Sequence, residues 1–164
     1  MLAGYCDLDI AHLESLLVQN PGLMIGEVGL DRRYAHFVSL EAQKEFLLGA
    51  IELAFRYSRP LVLHCVGCDG ALIDLLGQKA PKAMWHRCQV SEQSALVLMK
   101  LGIYMSFRAL TRVGQLVLER RPDLFLLESD SQKPYDLDIK GLYESYGQRG
   151  LEELVYANAA LFTS

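Results

Sequence analysis

With 164 residues, 51% of them hydrophobic, the chain is long enough for one domain with a sizeable core and too apolar to be disordered. A net charge of −4 argues against broad electrostatic binding to nucleic acid and leaves room only for a local basic patch. No apolar run approaches the roughly 20 residues needed to span a bilayer.

The N-terminal MLAGYCDLD carries neither a basic region nor a long apolar core, so it reads as no signal peptide. Cys6, Cys65, Cys68 and Cys88 fall in or beside predicted strands rather than framing loops. Reduced thiols in a cytoplasmic protein follow from that placement.

Residues 9–20 space Ile10, Leu13, Leu16 and Leu17 as a helix does, and Pro21-Gly22 stops it. Leu23–Asp31, LMIGEVGLD, reads as a buried strand with a carboxylate, Glu27, inside an otherwise apolar run. A loop from Asp31 to Val38 follows. Ser39 then caps a helix to about Tyr57, with Glu41 in its first turn and Leu47, Ala50, Ile51 and Ala54 on one face. Pro60 opens the strand LVLHCV. The pattern repeats: a helix over Asp69–Gln78, a strand over Ala83–Cys88, a helix from Ser91 to Gly102, and a strand over Ile103–Phe107. A helix over Thr111–Arg121 is stopped by Pro122, and a strand covers Leu124–Ser129. Helices around Ile139–Tyr146 and Leu151–Phe162 close the chain. Nothing resembles a linker or a second domain, so residues 1–164 read as a single domain.

Strands apolar on both faces and alternating with helices indicate a parallel sheet covered by helices, either doubly wound or a (β/α) barrel. Polar residues at several strand ends favour the barrel, where the chemistry sits at the C-terminal rim. Glu27, His64, His86 and Asp130 each fall in the C-terminal half of a different strand. A buried carboxylate is costly unless paired or bound to metal, and converging imidazoles and carboxylates suit a divalent cation such as Zn²⁺ or Mn²⁺. By strand alternation Glu27 shares a face with Ile25 and Gly29, His86 with Cys88, and Glu128 with Asp130.

The segments GEVGLD, EAQKEFLLGAIELA, PLVLHC, WHRCQVSEQSALVLMKLGIYMSF, LLESDSQKPY and NAALF, in this order, resemble the TatD family of metal-dependent deoxyribonucleases. The resemblance runs from about Ile10 to Phe162. It implies a TIM-type barrel and hydrolysis of DNA phosphodiesters, typically as a 3'-5' exonuclease, by a metal-activated water. One or two divalent metals (Mg²⁺, Mn²⁺ or Zn²⁺) would serve. Carried over, Glu27 would bridge the metals, and His64 and His86 would bind the second. Asp130 would bind the first and act as the catalytic base, while Glu128 would support the site from behind its ligands.

The family begins with a D-x-H-x-H strand, and this sequence has no H-x-H. On this reading the chain starts after that strand and the next, giving a partial barrel with its first two strands missing. Neither His12, in a predicted helix, nor His36, in a loop, replaces the absent pair. The family's H-x-R arginine is Val66, and its H-C-F-S-G has become His86-Arg87-Cys88-Gln89-Val90. What remains is Glu27, His64 and His86 for one metal, an arrangement that with water resembles an open catalytic zinc site.

Two competing sites involve cysteine. Cys65-Val66-Gly67-Cys68 is a C-x-x-C between a strand and a helix, as in thiol redox proteins. His64, Cys68, His86 and Cys88 could instead form a structural zinc site. The plainer reading is that these are small reduced hydrophobes. Arg32 and Arg33, Arg108 and Lys133 follow strand ends, where they suit a phosphate backbone; Arg32 and Arg108 are the substrate-binding candidates. Residues 131–138 read as a loop over the rim.

Two functions follow: a metal-dependent hydrolase acting on DNA, or a catalytically impaired remnant of the same fold, acting as a binding module or without independent activity. The edge of the strand over Leu23–Leu30 would be exposed and prone to pair with another chain, so a homo-oligomer or an edge-covering partner is expected.

Overall fold

A computed structural model describes residues 9–77, 80–130 and 139–164. The chain divides into two compact units, Met1–Lys82 and Ala83–Ser164. Both are α/β, and every strand pairing described within them is parallel, as the alternating pattern requires.

The first unit runs α1 (Ile10–Gln19), β1 (Ile25–Asp31), α2 (Leu40–Tyr57), β2 (Leu61–Val66) and α3 (Asp69–Leu76). Asp9 caps α1 by accepting from the His12 amide at 2.6 Å, and Ser39 caps α2 by accepting from the Ala42 amide at 3.2 Å. Such caps stabilise a helix by about 1 kcal/mol each. The faces expected for α2 are the buried ones: Leu47, Ala50, Ile51 and Ala54 pack into the core with Leu17, Ile25, Leu30, Leu61, Leu63 and Leu72. A Cβ on Gly49 would fall 2.6 Å from Ile10 Cδ1, so this glycine lets α1 and α2 approach.

β1 departs from the expected strand. It starts at Ile25, leaving Leu23 and Met24 exposed. The register shifts between Ile25, opposite Leu61, and Val28, opposite Leu63. This bulge breaks the alternation, so Glu27 is not on a buried face with Ile25: it is 48% exposed. Beyond the bulge Gly29 pairs with His64, and a Cβ there would fall 1.8 Å from the His64 carbonyl oxygen. Only glycine permits so close a strand.

The second unit runs β3 (Ala83–Trp85), α4 (Glu92–Leu101), β4 (Tyr104–Phe107), α5 (Arg112–Arg120), β5 (Phe125–Leu127), α6 (Ile139–Tyr146) and α7 (Leu151–Thr163). β4 lies between β3 and β5. Ser91 and Thr111 cap α4 and α5, and Gly102 ends α4 with φ 72°. Trp85, Met105, Phe107 and Phe125 fill the core, with the Phe107 and Phe125 rings stacked at 5.3 Å. Asn158 of α7, itself buried, donates to the carbonyls of Pro122 (2.7 Å) and Phe125 (2.9 Å).

β3 and β5 are shorter than the apolar runs suggest. β3 stops before His86, and β5 stops before Glu128. Arg87 (φ 48°) and Asp130 (φ 46°) take left-handed backbone conformations beyond those ends. His86 and Cys88, and Glu128 and Asp130, therefore do not sit on alternating strand faces; they lie on the turns that follow. Five strands are described, against the eight of a complete TIM barrel. Among the described residues no helix is long and apolar enough to cross a membrane. The loop expected over 131–138, with Lys133, lies outside the described residues, as does Cys6.

Candidate metal centre

In the first unit the β1–β2 register builds the arrangement. His64 lies opposite Gly29, and Glu27 and Asp31 stand two residues to either side of that glycine. His64 Nε2 is 3.0 Å from Asp31 Oδ2, and its Nδ1 faces Glu27 Oε2 at 3.6 Å. Asp31 is 1% exposed. It accepts from Arg33 through Nη2 (2.7 Å), Nε (3.1 Å) and the backbone amide (2.8 Å). Burial alone would raise the Asp31 carboxyl, but hydrogen bonds from Arg33 and His64 outweigh it and hold the pKa at about 2.

In the second unit the turns after β3 and β5 converge. His86, nearly buried, has Nδ1 2.7 Å from Glu128 Oε2. Its Nε2 lies 3.8 Å from Asp130 Oδ1. The other Glu128 oxygen accepts from the Arg87 amide at 2.6 Å, so one carboxylate holds both the imidazole and the turn that carries it. Asp130 Oδ2 pairs with Arg87 Nη1 at 2.8 Å, and Arg108 Nη1 stands 3.9 Å from the same oxygen.

Each unit thus presents one imidazole nitrogen beside one carboxylate oxygen, at 3.6 and 3.8 Å. Both separations exceed hydrogen-bond length. Two donors bound tetrahedrally to one cation at about 2.1 Å would be about 3.4 Å apart. The spacing and the N/O donor set are compatible with a divalent metal as well as with a direct ion pair.

The remaining candidates fall out differently. Arg32 is exposed and lines a cleft of about 290 Å³ with Leu40, Lys44, Gly67, Cys68 and Asp69. Arg108 stands beside Asp130 rather than alone on the surface. Cys65, Cys68 and Cys88 are free thiols. Burial pushes the Cys65 thiol up to about 12, and it donates to Asp69 Oδ1 at 3.5 Å, so Cys65 is poorly suited to act as a redox nucleophile at neutral pH. The two ring nitrogens of His64 face carboxylates, which leaves the Cys68/Cys88 zinc grouping without support. His12 sits in α1 and His36 packs on Phe37 at 4.0 Å.

Sequence reasoning missed two residues. Asp31 was read only as the end of a strand, although a carboxylate closing G-L-D four residues after Glu27 was visible. Arg87 departs from H-C-F-S-G and by strand alternation would face away from His86, and nothing in the sequence signals that its guanidinium reaches Asp130.

The carboxylates and imidazoles sit at or just beyond strand ends of a parallel α/β framework. The family model for TatD related DNase matches residues 5–155, and the chain belongs to that family. No curated protein matches the sequence. Among solved structures, the fold is similar to that of YJJV, a TatD homolog from Escherichia coli K12, with TM-score 0.74 and 20% identity, covering 98% of this chain and 70% of that one. It is also similar to a phosphotriesterase homology protein from Escherichia coli complexed with phosphate in its active site (TM-score 0.70, 13% identity, 100% and 70%). A third similarity is to an uncharacterized amidohydrolase from Saccharomyces cerevisiae (TM-score 0.63, 19% identity, 85% and 52%). The chain thus spans about half the length of the yeast structure.

Proposed function

We propose that this chain is a metal-dependent hydrolase acting on phosphodiesters, with DNA as the substrate class. The observation that carries the reading is the pairing of an imidazole nitrogen with a carboxylate oxygen at metal-ligand spacing in both units of a TatD-family chain. Glu27, His64, His86 and Asp130 would serve as ligands to one or two divalent cations, Mg²⁺, Mn²⁺ or Zn²⁺, and residues 1–164 act as one hydrolase domain. When bound, the cation supplies Lewis acidity, polarising a phosphoryl oxygen and making water acidic enough to attack at neutral pH.

The chain's own residues do the rest. Asp130 offers Oδ1 to the water's proton while Arg87 holds its other oxygen. Glu128 keeps His86 oriented through Nδ1. The exposed guanidiniums of Arg32 and Arg108 bind the phosphate backbone, a contact that positions the strand without reading its sequence.

A second reading is favoured by one observation. Asp130 Oδ2 is already paired with Arg87, which supplies in place a positive charge for that carboxylate. A chain with that pair and no H-x-H would bind DNA or metal without turnover. The test is the rate of release of nucleotides from linear DNA with Mg²⁺, Mn²⁺ or Zn²⁺ added, compared with Asp130→Asn. Metal-dependent release lost in the variant supports the hydrolase; binding without release in either protein supports the binding module.

A further inference from the structure

We propose that Asp31 is a positioning residue: its carboxylate holds His64 by Nε2–H and so fixes Nδ1 as the nitrogen offered on the Glu27 side. The proposal rests on the reading of Glu27 and His64 as metal ligands for its purpose, but the hold itself is a property of the metal-free chain.

The argument starts from hydrogen-bonding inventory. An ionised carboxylate only accepts, so the imidazole nitrogen 3.0 Å from Asp31 Oδ2 must be the donor. A neutral imidazole with its proton on Nε2 keeps its lone pair on Nδ1, and Nδ1 is the atom facing Glu27 Oε2. Had the proton been on Nδ1, the lone pair would have faced a carboxylate at 3.0 Å.

The carboxylate is also built not to move. Arg33 grips both of its oxygens with side chain and backbone. Gln43, buried on α2, grips the main chain: Oε1 accepts from the Asp31 amide at 2.7 Å, and Nε2 donates to the Asp31 carbonyl at 3.2 Å and to that of Val38 at 2.9 Å. The fold thus spends a buried amide and a guanidinium on one carboxylate whose remaining polar contact is His64. An Asp31–Arg33 pair serving stability alone would not need His64 as a third member, because Arg33 is 63% exposed and reaches Asp31 from the surface. In the other unit Glu128 does the same for His86, from a different strand end. The two imidazoles are held by opposite nitrogens, Nε2 in His64 and Nδ1 in His86, as the differing approach of each carboxylate requires.

Carboxylates behind metal-binding histidines fix the tautomer and ring orientation, and their loss typically weakens metal affinity 10–100-fold. The experiment is a two-bond ¹H–¹⁵N correlation spectrum of the metal-free, ¹⁵N-histidine-labelled chain at pH 8, with His64→Asn identifying the His64 signals. It is paired with Zn²⁺ affinity by competition with a chromophoric chelator. The wild type is expected to show His64 as the Nε2–H tautomer. Asp31→Asn is expected to mix the tautomers and to weaken Zn²⁺ binding about 10–100-fold, with unchanged circular dichroism, and Asp31→Glu is expected to recover part of both.

An Nδ1–H tautomer in the wild type overturns the proposal, and this holds whether or not any variant folds. So does an Asp31→Asn chain that folds with tautomer and affinity unchanged. A wild type that shows the Nε2–H tautomer, lost in Asp31→Asn, but takes up no Zn²⁺ refutes the metal reading while leaving Asp31's hold on His64 in place.

Discussion

At the scale of single residues, the chemistry turns on which atom each carboxylate offers. Glu128 satisfies two donors at once, the His86 ring and the Arg87 amide, so Glu128→Gln replaces one acceptor oxygen with an amide NH₂ that faces a donor. We expect Zn²⁺ affinity to fall about 10–100-fold in that variant, measured by the same chelator competition, with little change in fold by circular dichroism. Cys65 offers a prediction on the thiol alternative. Because burial holds it up at about 12, its thiolate is scarce below that pH, and native Cys65 should react with iodoacetamide at pH 8 at least tenfold more slowly than in urea, read by peptide mass spectrometry. Rapid native labelling would return redox chemistry to consideration. His64 and His86 were legible in the sequence because each stands out at the end of an apolar run. Asp31 and Arg87 were not, because their roles depend on contacts that no local pattern encodes: Asp31 reaches a residue 33 positions away, and Arg87 reaches Asp130 on a separate turn.

Among elements, helices were read closely and strands less so. Ser39, Ser91 and Thr111 are caps whose side chains lack another competing role in the sequence, so they mark helix starts directly. Strand ends carry no such mark. The apolar run of β5 continues to Leu127 and the polar residues beyond it look like a continuation, yet the ladder stops and Asp130 turns left-handed. The bulge in β1 was likewise invisible, since Gly26 and Glu27 keep the spacing of a regular strand in sequence while the register slips in space. Gly29 is the gap into which the β2 backbone at His64 fits, and it sets Glu27 and Asp31 on either side. Gly29→Ala should therefore cost about 1–3 kcal/mol or more by urea denaturation, and should disturb metal binding in whatever fraction still folds. A variant of wild-type stability and affinity would show that the β1–β2 register is not what places Glu27 and His64. Asn158→Ala tests the second unit separately. It strips the donor from the Pro122 and Phe125 carbonyls and should cost about 1–3 kcal/mol without touching a ligand.

At the scale of the molecule, the α/β class and the family were within reach of the sequence because they depend on order: strand, helix, strand, with polar residues at successive strand ends. The family match covers residues 5–155. Competence is a different property, carried by a few atoms, and the order of elements does not specify it. The absence of H-x-H, the loss of the arginine at Val66, and the Arg87–Asp130 pair all bear on whether four ligands suffice.

The central claim is that Glu27, His64, His86 and Asp130 hold a divalent cation, and metal content tests it most directly. The purified chain would be dialysed against Zn²⁺, then against metal-free buffer, and analysed by inductively coupled plasma mass spectrometry alongside Glu27→Ala and His64→Ala. The account predicts about one metal per wild-type chain, retained through dialysis, and its loss in both variants. A wild type that retains no metal, or variants that retain as much as wild type, would contradict it.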